Sequence, residues 1–177
     1  MAKKLGHVDT AMVVSGERYP DAMSAGVLAA NRNLPILLVS AKNLPKETAQ
    51  VMKELGIQKT YIAGGPAVIG QPVRQQLPKC IASFNGENRY ETAALIAKEL
   101  PNQNRVYLTT GLQFADALTI GVVAGASGNP LLLSDPVALS KATRSYLMTH
   151  PVREMVIVGG PMALSAAVFK AAAKLVK

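Results

Sequence analysis

The sequence has few of the residues from which disulfide frameworks and metal centres are built. It contains one cysteine, Cys80, and two histidines, His7 and His150, which lie far apart along the chain. A single cysteine provides no disulfide framework, and a dedicated His/Cys metal site needs several such ligands at short spacing. We therefore predict no metal and no cofactor. An extracellular location stays open, because large domains do not require disulfides.

Long hydrophobic segments are also missing. No apolar run approaches the roughly 20 residues that a membrane helix needs, so we predict no transmembrane segment. Residues 1–7 have the character of a tail and lack the apolar core of a signal peptide. If the protein acts outside the cell, we expect this chain to be a piece of a longer precursor.

The charge of the chain is strongly positive, with a formal net charge of +8. The basic residues are scattered, and no aromatic residues alternate with them as in a groove for single-stranded nucleic acid. A nucleic-acid partner is therefore not expected. Two interpretations of the charge remain open, which are a solvated basic surface and attraction to an anionic polymer.

An internal duplication organises the chain. Residues 12–38 align without a gap with residues 107–133 at an offset of 95, and the register continues to Gly64-Gly65-Pro66 and Gly159-Gly160-Pro161. Such a repeat has to be recognised before the fold is interpreted. We predict two similar units, residues 8–85 and residues 86–177.

Each unit alternates short apolar runs with helical patterns of 10–15 residues, which predicts an α/β fold with a parallel sheet flanked by helices. The expected architecture is Rossmann-like or Toprim-like, with three layers. Ligands of such sheets bind at the carboxyl ends of the strands. The predicted strands are Ala11–Val14, Ile36–Val39, Tyr61–Ala63, Ile81–Phe84, Val106–Thr109, Leu131–Ser134 and Met155–Val158.

Several short motifs occur in the same order in both copies. The second copy carries Asn88-Arg89-Tyr90-Glu91-Thr92-Ala93, Gly111-x-x-Phe114-Ala115-Asp116-Ala117-Leu118, Pro130-Leu131-Leu132-Leu133 and Val158-Gly159-Gly160. The first copy carries Gly16-x-x-Tyr19-Pro20-Asp21-Ala22-Met23, Pro35-Ile36-Leu37-Leu38 and Ala63-Gly64-Gly65. With these motifs the sequence resembles the cell-wall-binding repeat type 2 family of Gram-positive surface proteins.

The resemblance implies a non-catalytic anchor. Members of this family attach amidases, S-layer proteins and other surface proteins to the wall by holding anionic secondary polymers non-covalently, either a cell-wall polysaccharide or a teichoic-acid-like polymer. The resemblance also implies an extracellular location at the cell wall and packing against sister repeats, because the family usually shows three tandem repeats in a trimeric arrangement. This chain departs from that pattern, since it has two copies and the first lacks the Asn-Arg-Tyr-Glu-Thr-Ala helix.

Candidate polymer-binding residues lie in these motifs. They are Arg18, Tyr19, Asp21, Gly64, Gly65, Asn88, Arg89, Tyr90, Phe114, Asp116, Gly159 and Gly160. The two aspartates either stabilise a helix start and its preceding loop or hydrogen-bond to a sugar. The glycine pairs either satisfy turns that need a positive φ or expose backbone amides at a helix N-terminus to an anion.

The arginine and aromatic candidates also allow two interpretations. A guanidinium can hold phosphate or carboxylate in a bidentate manner, but Arg89 could instead pair with a neighbouring acid. Arg18 aligns with Gln113, so the two copies cannot use that position identically. Tyr19, Tyr90 and Phe114 either stack on sugars or pack between units. No catalytic pair is visible, although the parallel sheet and glycine turns leave an enzyme fragment that binds nucleotides or phosphosugars as an alternative.

Overall fold

The computed structural model describes residues 8–177, and the tail predicted for residues 1–7 lies outside them. Within the described residues, seven strands alternate with seven helices. The strands are β1 (Thr10–Ser15), β2 (Ile36–Val39), β3 (Lys59–Ala63), β4 (Lys79–Phe84), β5 (Arg105–Thr110), β6 (Leu131–Ser134) and β7 (Glu154–Ile157). The helices are α1 (Tyr19–Asn31), α2 (Lys46–Leu55), α3 (Gln71–Arg74), α4 (Arg89–Ala97), α5 (Phe114–Ser127), α6 (Lys141–Thr149) and α7 (Ala166–Ala173).

The strands form two parallel sheets, one in each copy of the repeat. The first sheet has the order β2-β1-β3-β4 and the second has the order β6-β5-β7. The register repeats as well, because Met12 pairs with Ile36 and the equivalent Tyr107 pairs with Leu131. The predicted α/β fold is confirmed, while the bounds of the two units stay a prediction. Every predicted strand is present, with bounds that agree to within two residues.

Three helices are shorter than the sequence pattern predicts. The pattern predicts a final helix from about Ser165 to the end of the chain, but α7 ends at Ala173. The pattern also predicts a helix over about residues 70–77, which is regular only from Gln71 to Arg74, and one over residues 88–100, which ends at Ala97. In both cases the following turn continues with hydrogen bonds to the third preceding residue, such as Gln76 N–H to the Val73 carbonyl and Leu100 N–H to the Ala97 carbonyl. Proline follows each of these turns and stops the helix.

Helix α4 covers part of the second sheet that remains open in the first. Leu131 and Leu133 of β6 are 2% and 0% exposed and share a hydrophobic cluster with residues of α4. The equivalent side chains of β2, Ile36 and Leu38, are 42% and 53% exposed. At the repeat offset, the counterpart of most of α4 would precede residue 1, so no described helix covers β2 in this way.

The two repeats meet where α1 packs against α5. The small residues of α1, which are suited to close packing on a sheet, here also permit a close helix–helix contact. A Cβ added at Gly125 would lie 2.6 Å from the Ala30 Cβ and 3.0 Å from the Val27 carbonyl oxygen. Glycine is therefore required at position 125 for the helices to approach this closely.

Replacing Gly125 with valine is expected to destabilise the contact between the repeats. The added side chain would overlap α1, and overpacking of this kind costs about 1–3 kcal/mol. Gly26→Ala is the matched control, because a Cβ at Gly26 meets nothing within 4 Å. That substitution should stabilise the helix by about 0.5–1 kcal/mol. Urea unfolding of both variants checks the prediction, and a Gly125→Val variant as stable as the wild type would contradict it.

Candidate functional site

Six of the predicted site residues line one cleft of about 530 Å³ where the two repeats meet. We call it the junction cleft. Three segments form it, which are the start of α1 with the loop before it, the turn after β3, and the connection from β4 to α4. The predicted residues in its walls are Arg18, Tyr19, Asp21, Gly65, Asn88 and Arg89.

The carboxylate of Asp21 lies against the backbone of the turn that follows β3. A Cβ at Gly64 would lie 3.1 Å from Asp21 Oδ2, and Gly64 has a φ of +113°. The second repeat contains the same arrangement, because Gly159 has a φ of +111° and a Cβ there would lie 2.9 Å from Asp116 Oδ2. The first glycine of each pair therefore serves the turn, as the structural interpretation expects.

The second glycine of each pair has a different character. Neither has the positive φ of its neighbour, and within residues 8–177 the Gly65 N–H donates no hydrogen bond. No regular helix begins at these pairs, since α3 begins only at Gln71 and α7 only at Ala166. A single turn does begin at Gly65, because its carbonyl accepts hydrogen bonds from the N–H groups of Val68 and Ile69. The Gly65 amide is nevertheless an unused donor in the wall of the junction cleft.

Asn88 begins α4 and is largely occupied by that role. Its side-chain oxygen accepts hydrogen bonds from the N–H groups of Tyr90 and Glu91, at 3.0 and 3.1 Å. Glu91 accepts in turn from the Glu87 N–H at 2.9 Å, one residue earlier than a standard capping box would place it. Asn88 therefore fixes the end of α4 at the cleft, and only its amide NH₂ group remains for a ligand.

Arg89 is held by the backbone of the second repeat rather than by an acid. Its guanidinium donates a hydrogen bond to the Gly111 carbonyl. No described residue forms an ion pair with it. Arg18, at the N-cap of α1, is exposed and has no ion pair among the described residues either. Neither guanidinium is therefore held in a close ion pair, although both lie near enough to Asp21 to act on its carboxylate.

Asp21 is the titratable group most affected by this environment. Burial raises its pKa above the ordinary value of 3.8, and the Thr92 hydroxyl and the guanidinium groups of Arg89 and Arg18 oppose this effect only in part. Ionised Asp21 is thus costly in the folded chain. Perturbed carboxyl groups in clefts are more frequent at functional sites than elsewhere.

The raised pKa predicts how stability depends on pH. The contribution of Asp21 to stability is complete below pH 3.8 and is lost as the pH rises through the folded pKa. Asp21→Asn should therefore be more stable than the wild type at pH 7, with a difference that shrinks as the pH falls toward 3.8.

Asp9 supplies a control of opposite sign. The hydrogen bond from Lys59 lowers the pKa of Asp9, so its contribution is present above pH 3.8 and is lost on acidification. Asp9→Asn should be less stable than the wild type at pH 7. Urea unfolding between pH 3.8 and pH 7 measures the stability of both variants. An Asp21→Asn variant that is less stable than the wild type at pH 7 would contradict the raised pKa of Asp21.

Sequence reasoning did not single out two residues that shape the cleft. Thr92 is a buried polar residue of α4 beside Asp21. Gly86 lets the chain pass α4 closely, because a Cβ there would lie 2.3 Å from the Thr92 backbone nitrogen. Both residues could have been noticed in the sequence. A threonine on the apolar side of a helix indicates a buried polar contact, and a glycine shortly before a helix indicates a close approach of the backbone.

The remaining aromatic candidates pack between parts of the chain. The Tyr90 ring lies over the tip of β5, where a Cβ at Gly111 would be 2.5 Å from Tyr90 Cε1. Tyr19 and Phe114, which occupy equivalent positions, contact each other edge to face with ring centroids 5.5 Å apart. The Tyr19 hydroxyl also donates to the Leu112 carbonyl at 3.4 Å. Packing between units is therefore the role these contacts support.

Asp116, Gly159 and Gly160 form the equivalent strand-end arrangement of the second repeat, outside the junction cleft. There the counterpart of the segment from Gly86 to Arg89 would follow residue 177. The structure thus brings six of the candidates together in the junction cleft, and it leaves Asp116, Gly159 and Gly160 apart from them.

Two kinds of feature are absent from the described residues. Residues 8–177 contain no group of three or more His, Cys, Asp or Glu side chains placed to hold a metal ion. None of the helices in the same range combines the length and the apolar character needed to cross a membrane.

Comparisons with known proteins identify relatives of this arrangement. The sequence profile of the family described as cell wall binding domain 2 matches residues 1–74 and 84–169. The N-acetylmuramoyl-L-alanine amidase LytC of Bacillus subtilis is 33% identical over 163 residues, which are 90% of this chain and 33% of that protein. The amidase enhancer of the same organism is 30% identical over 129 residues, which are 72% of this chain and 18% of that protein.

Solved structures give the same result. Cwp6 from Clostridium difficile superposes with a TM-score of 0.88 at 26% identity, over 98% of this chain and 28% of that one. Cwp8 from the same organism gives a TM-score of 0.85 at 25% identity, over 97% of this chain and 30% of that one. The chain spans about a third or less of the length of each of these relatives.

Proposed function

The chain belongs to the cell wall binding domain 2 family, and we propose that it holds an anionic wall polymer in the junction cleft without catalysing a reaction on it. Cell wall binding is the role that the family and its cell-wall relatives support. The observation that carries the finer proposal is the pair of arginines, Arg18 and Arg89, which line the cleft beside Asp21 and form no ion pair within 4 Å among the described residues. The proposed location is the outer surface of a Gram-positive cell.

The donors and acceptors of the cleft suit a charged polysaccharide. A guanidinium binds phosphate or carboxylate through charge-assisted hydrogen bonds, and the free Gly65 amide adds a neutral donor. Asp21 can accept a hydrogen bond from a sugar hydroxyl, which would add a partner for its partly buried charge beside Thr92. The net charge of +8 draws a polyanion toward the surface over longer distances.

The walls of the cleft favour binding over chemistry. None of the described residues that line it is serine, cysteine or histidine, so a hydroxyl or thiol nucleophile with a histidine base is not available there. The amidase names belong to proteins about three or more times as long as the matched region. A fragment that binds nucleotides or phosphosugars is the alternative, and it predicts thermal stabilisation by such ligands.

Sedimentation with purified Gram-positive walls tests the proposal. The chain should sediment with intact walls, and salt should weaken this binding because counterions screen the attraction between exposed charges. Walls stripped of their secondary polymers are the control and should retain little protein. Equal sedimentation with stripped walls would count against polymer binding, and a thermal shift with nucleotides would favour the enzyme alternative.

We further propose that the chain packs against a sister repeat in a second copy of itself. An apolar groove of about 360 Å³ runs between α1 and α5. Its walls include the exposed side chains of Ile36, Phe114, Leu118 and Val122. Contiguous apolar surface of this kind marks an interaction site, and the contact between α1 and α5 already joins one pair of repeats in the same way.

Light scattering tests the packing of sister repeats. The wild type should form trimers or larger assemblies at micromolar concentration, and Leu118→Glu should reduce their size because it places a charge in the groove. A wild type that stays monomeric throughout the concentration series would contradict this part of the proposal without affecting wall binding.

A further inference from the structure

A second cleft lies on the other side of α4, between α4 and α6 of the second repeat. It has a volume of about 410 Å³, and we call it the helix cleft. Glu87 and Asn88 line both this cleft and the junction cleft. The two cavities are therefore neighbours, separated by the segment that begins α4. The helix cleft is lined further by Glu91, Lys98, Lys141, Ser145, Tyr146 and Thr149.

Tyr146 is the unusual residue of the helix cleft. Its side chain is 2% exposed, and its hydroxyl has no hydrogen-bond partner among the described residues. The ring stacks on His150 with centroids 3.9 Å apart and an angle of 4° between the planes. Burial raises the pKa of Tyr146, so the hydroxyl stays protonated and can act as a donor at neutral pH. Buried polar groups are rarely left without a partner, so this hydroxyl calls for a ligand or a water molecule.

The charged groups of the helix cleft are partly free. Lys98 and Lys141 are exposed, and neither ammonium group forms an ion pair within residues 8–177. Glu91, by contrast, already accepts a hydrogen bond from the Glu87 N–H. The lining therefore combines two cations without an ion pair, the carboxylates of Glu87 and Glu91, and Tyr146. The ammonium groups suit the acidic group of a sugar unit.

The first repeat does not contain an equivalent site. At the offset of 95, Lys46 corresponds to Lys141, but Gln50 replaces Ser145 and Val51 replaces Tyr146. The helix that forms the opposite wall, α4, also has no described counterpart there. Lys46 thus offers the same charge on the equivalent helix without a cleft beside it.

We propose that the helix cleft is a second subsite for the anionic polymer, in which Tyr146 hydrogen-bonds to a sugar unit and Lys98 and Lys141 bind its acidic group. This inference rests on the proposed function. The polymer passes over Glu87 and Asn88 from one cleft to the other, so that one chain holds two of its segments. Linked contacts of this kind raise affinity because the second one forms at a high effective concentration.

Binding of polymer fractions of different length tests the second subsite. The probe is anionic polymer extracted from Gram-positive walls, partly hydrolysed and separated by length, and the measurement is isothermal titration calorimetry. The wild type should bind long fractions at least about 10-fold more tightly than fractions too short to reach both clefts. The double variant Lys98→Gln/Lys141→Gln should lose most of this advantage, whereas Lys46→Gln should keep it.

Tyr146→Phe separates binding from folding. Removing a buried hydroxyl that has no partner should leave the melting temperature unchanged or raise it. The affinity for long fractions should nevertheless fall by about 3- to 10-fold, as expected for one lost hydrogen bond. If Tyr146→Phe and the double lysine variant both bind long and short fractions like the wild type, the second subsite is refuted.

A comparison with Arg18→Gln distinguishes failure of this inference from failure of the proposed function. Arg18 lies in the junction cleft, so Arg18→Gln should weaken the binding of short and long fractions alike. If the variant does so while the helix-cleft variants change nothing, only the second subsite is overturned. If the wild type binds neither fraction, both proposals are overturned.

Discussion

Leu133→Ala is expected to lower the free energy of unfolding by about 2–5 kcal/mol, whereas Leu38→Ala, at the equivalent position of the first repeat, should lower it by less than about 1 kcal/mol. The two substitutions delete the same atoms from the same position of a repeated strand. Leu133 is fully buried with residues of α4, while Leu38 is half exposed. The difference in urea unfolding between the two variants therefore measures what coverage of the sheet by α4 contributes.

Leu37 and Leu132 provide the control for this comparison. Both side chains are buried on the opposite faces of their sheets, where α2 and α6 cover them. Leu37→Ala and Leu132→Ala should each cost about 2–5 kcal/mol. Similar losses at all four positions would mean that β2 is covered in solution, and the account of α4 would then be wrong.

The duplication made most of the fold predictable. Apart from β4, each strand of the first copy is a short apolar run followed by glycine or a small polar residue, and a similar run occurs again 95 residues later. An assignment of strands and helices has to fit both copies of the repeat, so few alternative assignments remain. The end of a helix, by contrast, is predictable from a single residue. Gly56 ends α2 in the left-handed conformation with a φ of 75°, as is typical of glycine at this position. The parallel order of the sheets followed from the alternation of strands and helices.

The division of burial between the two copies was not predictable. The runs Pro35-Ile36-Leu37-Leu38 and Pro130-Leu131-Leu132-Leu133 look equally apolar, and continuous apolar runs of this kind predict strands that are buried on both faces. Only the second is buried on both faces, because a helix from outside the aligned region covers it. The assignment of β2 to a strand is confirmed, but its full burial is corrected. The sequence pattern indicates which side chains can be buried, but tertiary packing determines which of them are buried in the folded chain.

The candidate site was predictable in its parts and not in its assembly. Asp21 and Gly64 follow neighbouring strands of one sheet, so their proximity could be expected. Arg89 comes from the other unit, and its approach to Asp21 depends on how α4 lies between the repeats. Likewise, nothing in a helical pattern distinguished Tyr146 from an ordinary core residue, because its lack of a hydrogen-bond partner is a property of the packed structure.

Arg89→Gln is expected to weaken wall binding by about 10- to 100-fold, which corresponds to the 1.5–3 kcal/mol typical of a hydrogen bond to a charged group. Arg89 is the half-buried member of the arginine pair in the junction cleft, so its charge is less screened by solvent than that of exposed Arg18. Sedimentation with a dilution series of walls gives the affinity. Arg153→Gln removes the same charge from an exposed position outside the cleft and should change binding by no more than about 2-fold.

The structural role of Arg89 has to be separated from its role in binding, because its guanidinium also donates to the Gly111 carbonyl. Arg89→Gln is therefore expected to lower stability as well, and binding has to be measured well below its melting temperature. Arg18 makes no such contact among the described residues, so Arg18→Gln should weaken binding while leaving the melting temperature within about 1 °C of the wild type. Arg89→Gln and Arg18→Gln variants that both bind walls as tightly as Arg153→Gln would contradict the proposed site. The arginines of the junction cleft would then contribute no more to binding than any other exposed charge of the basic surface.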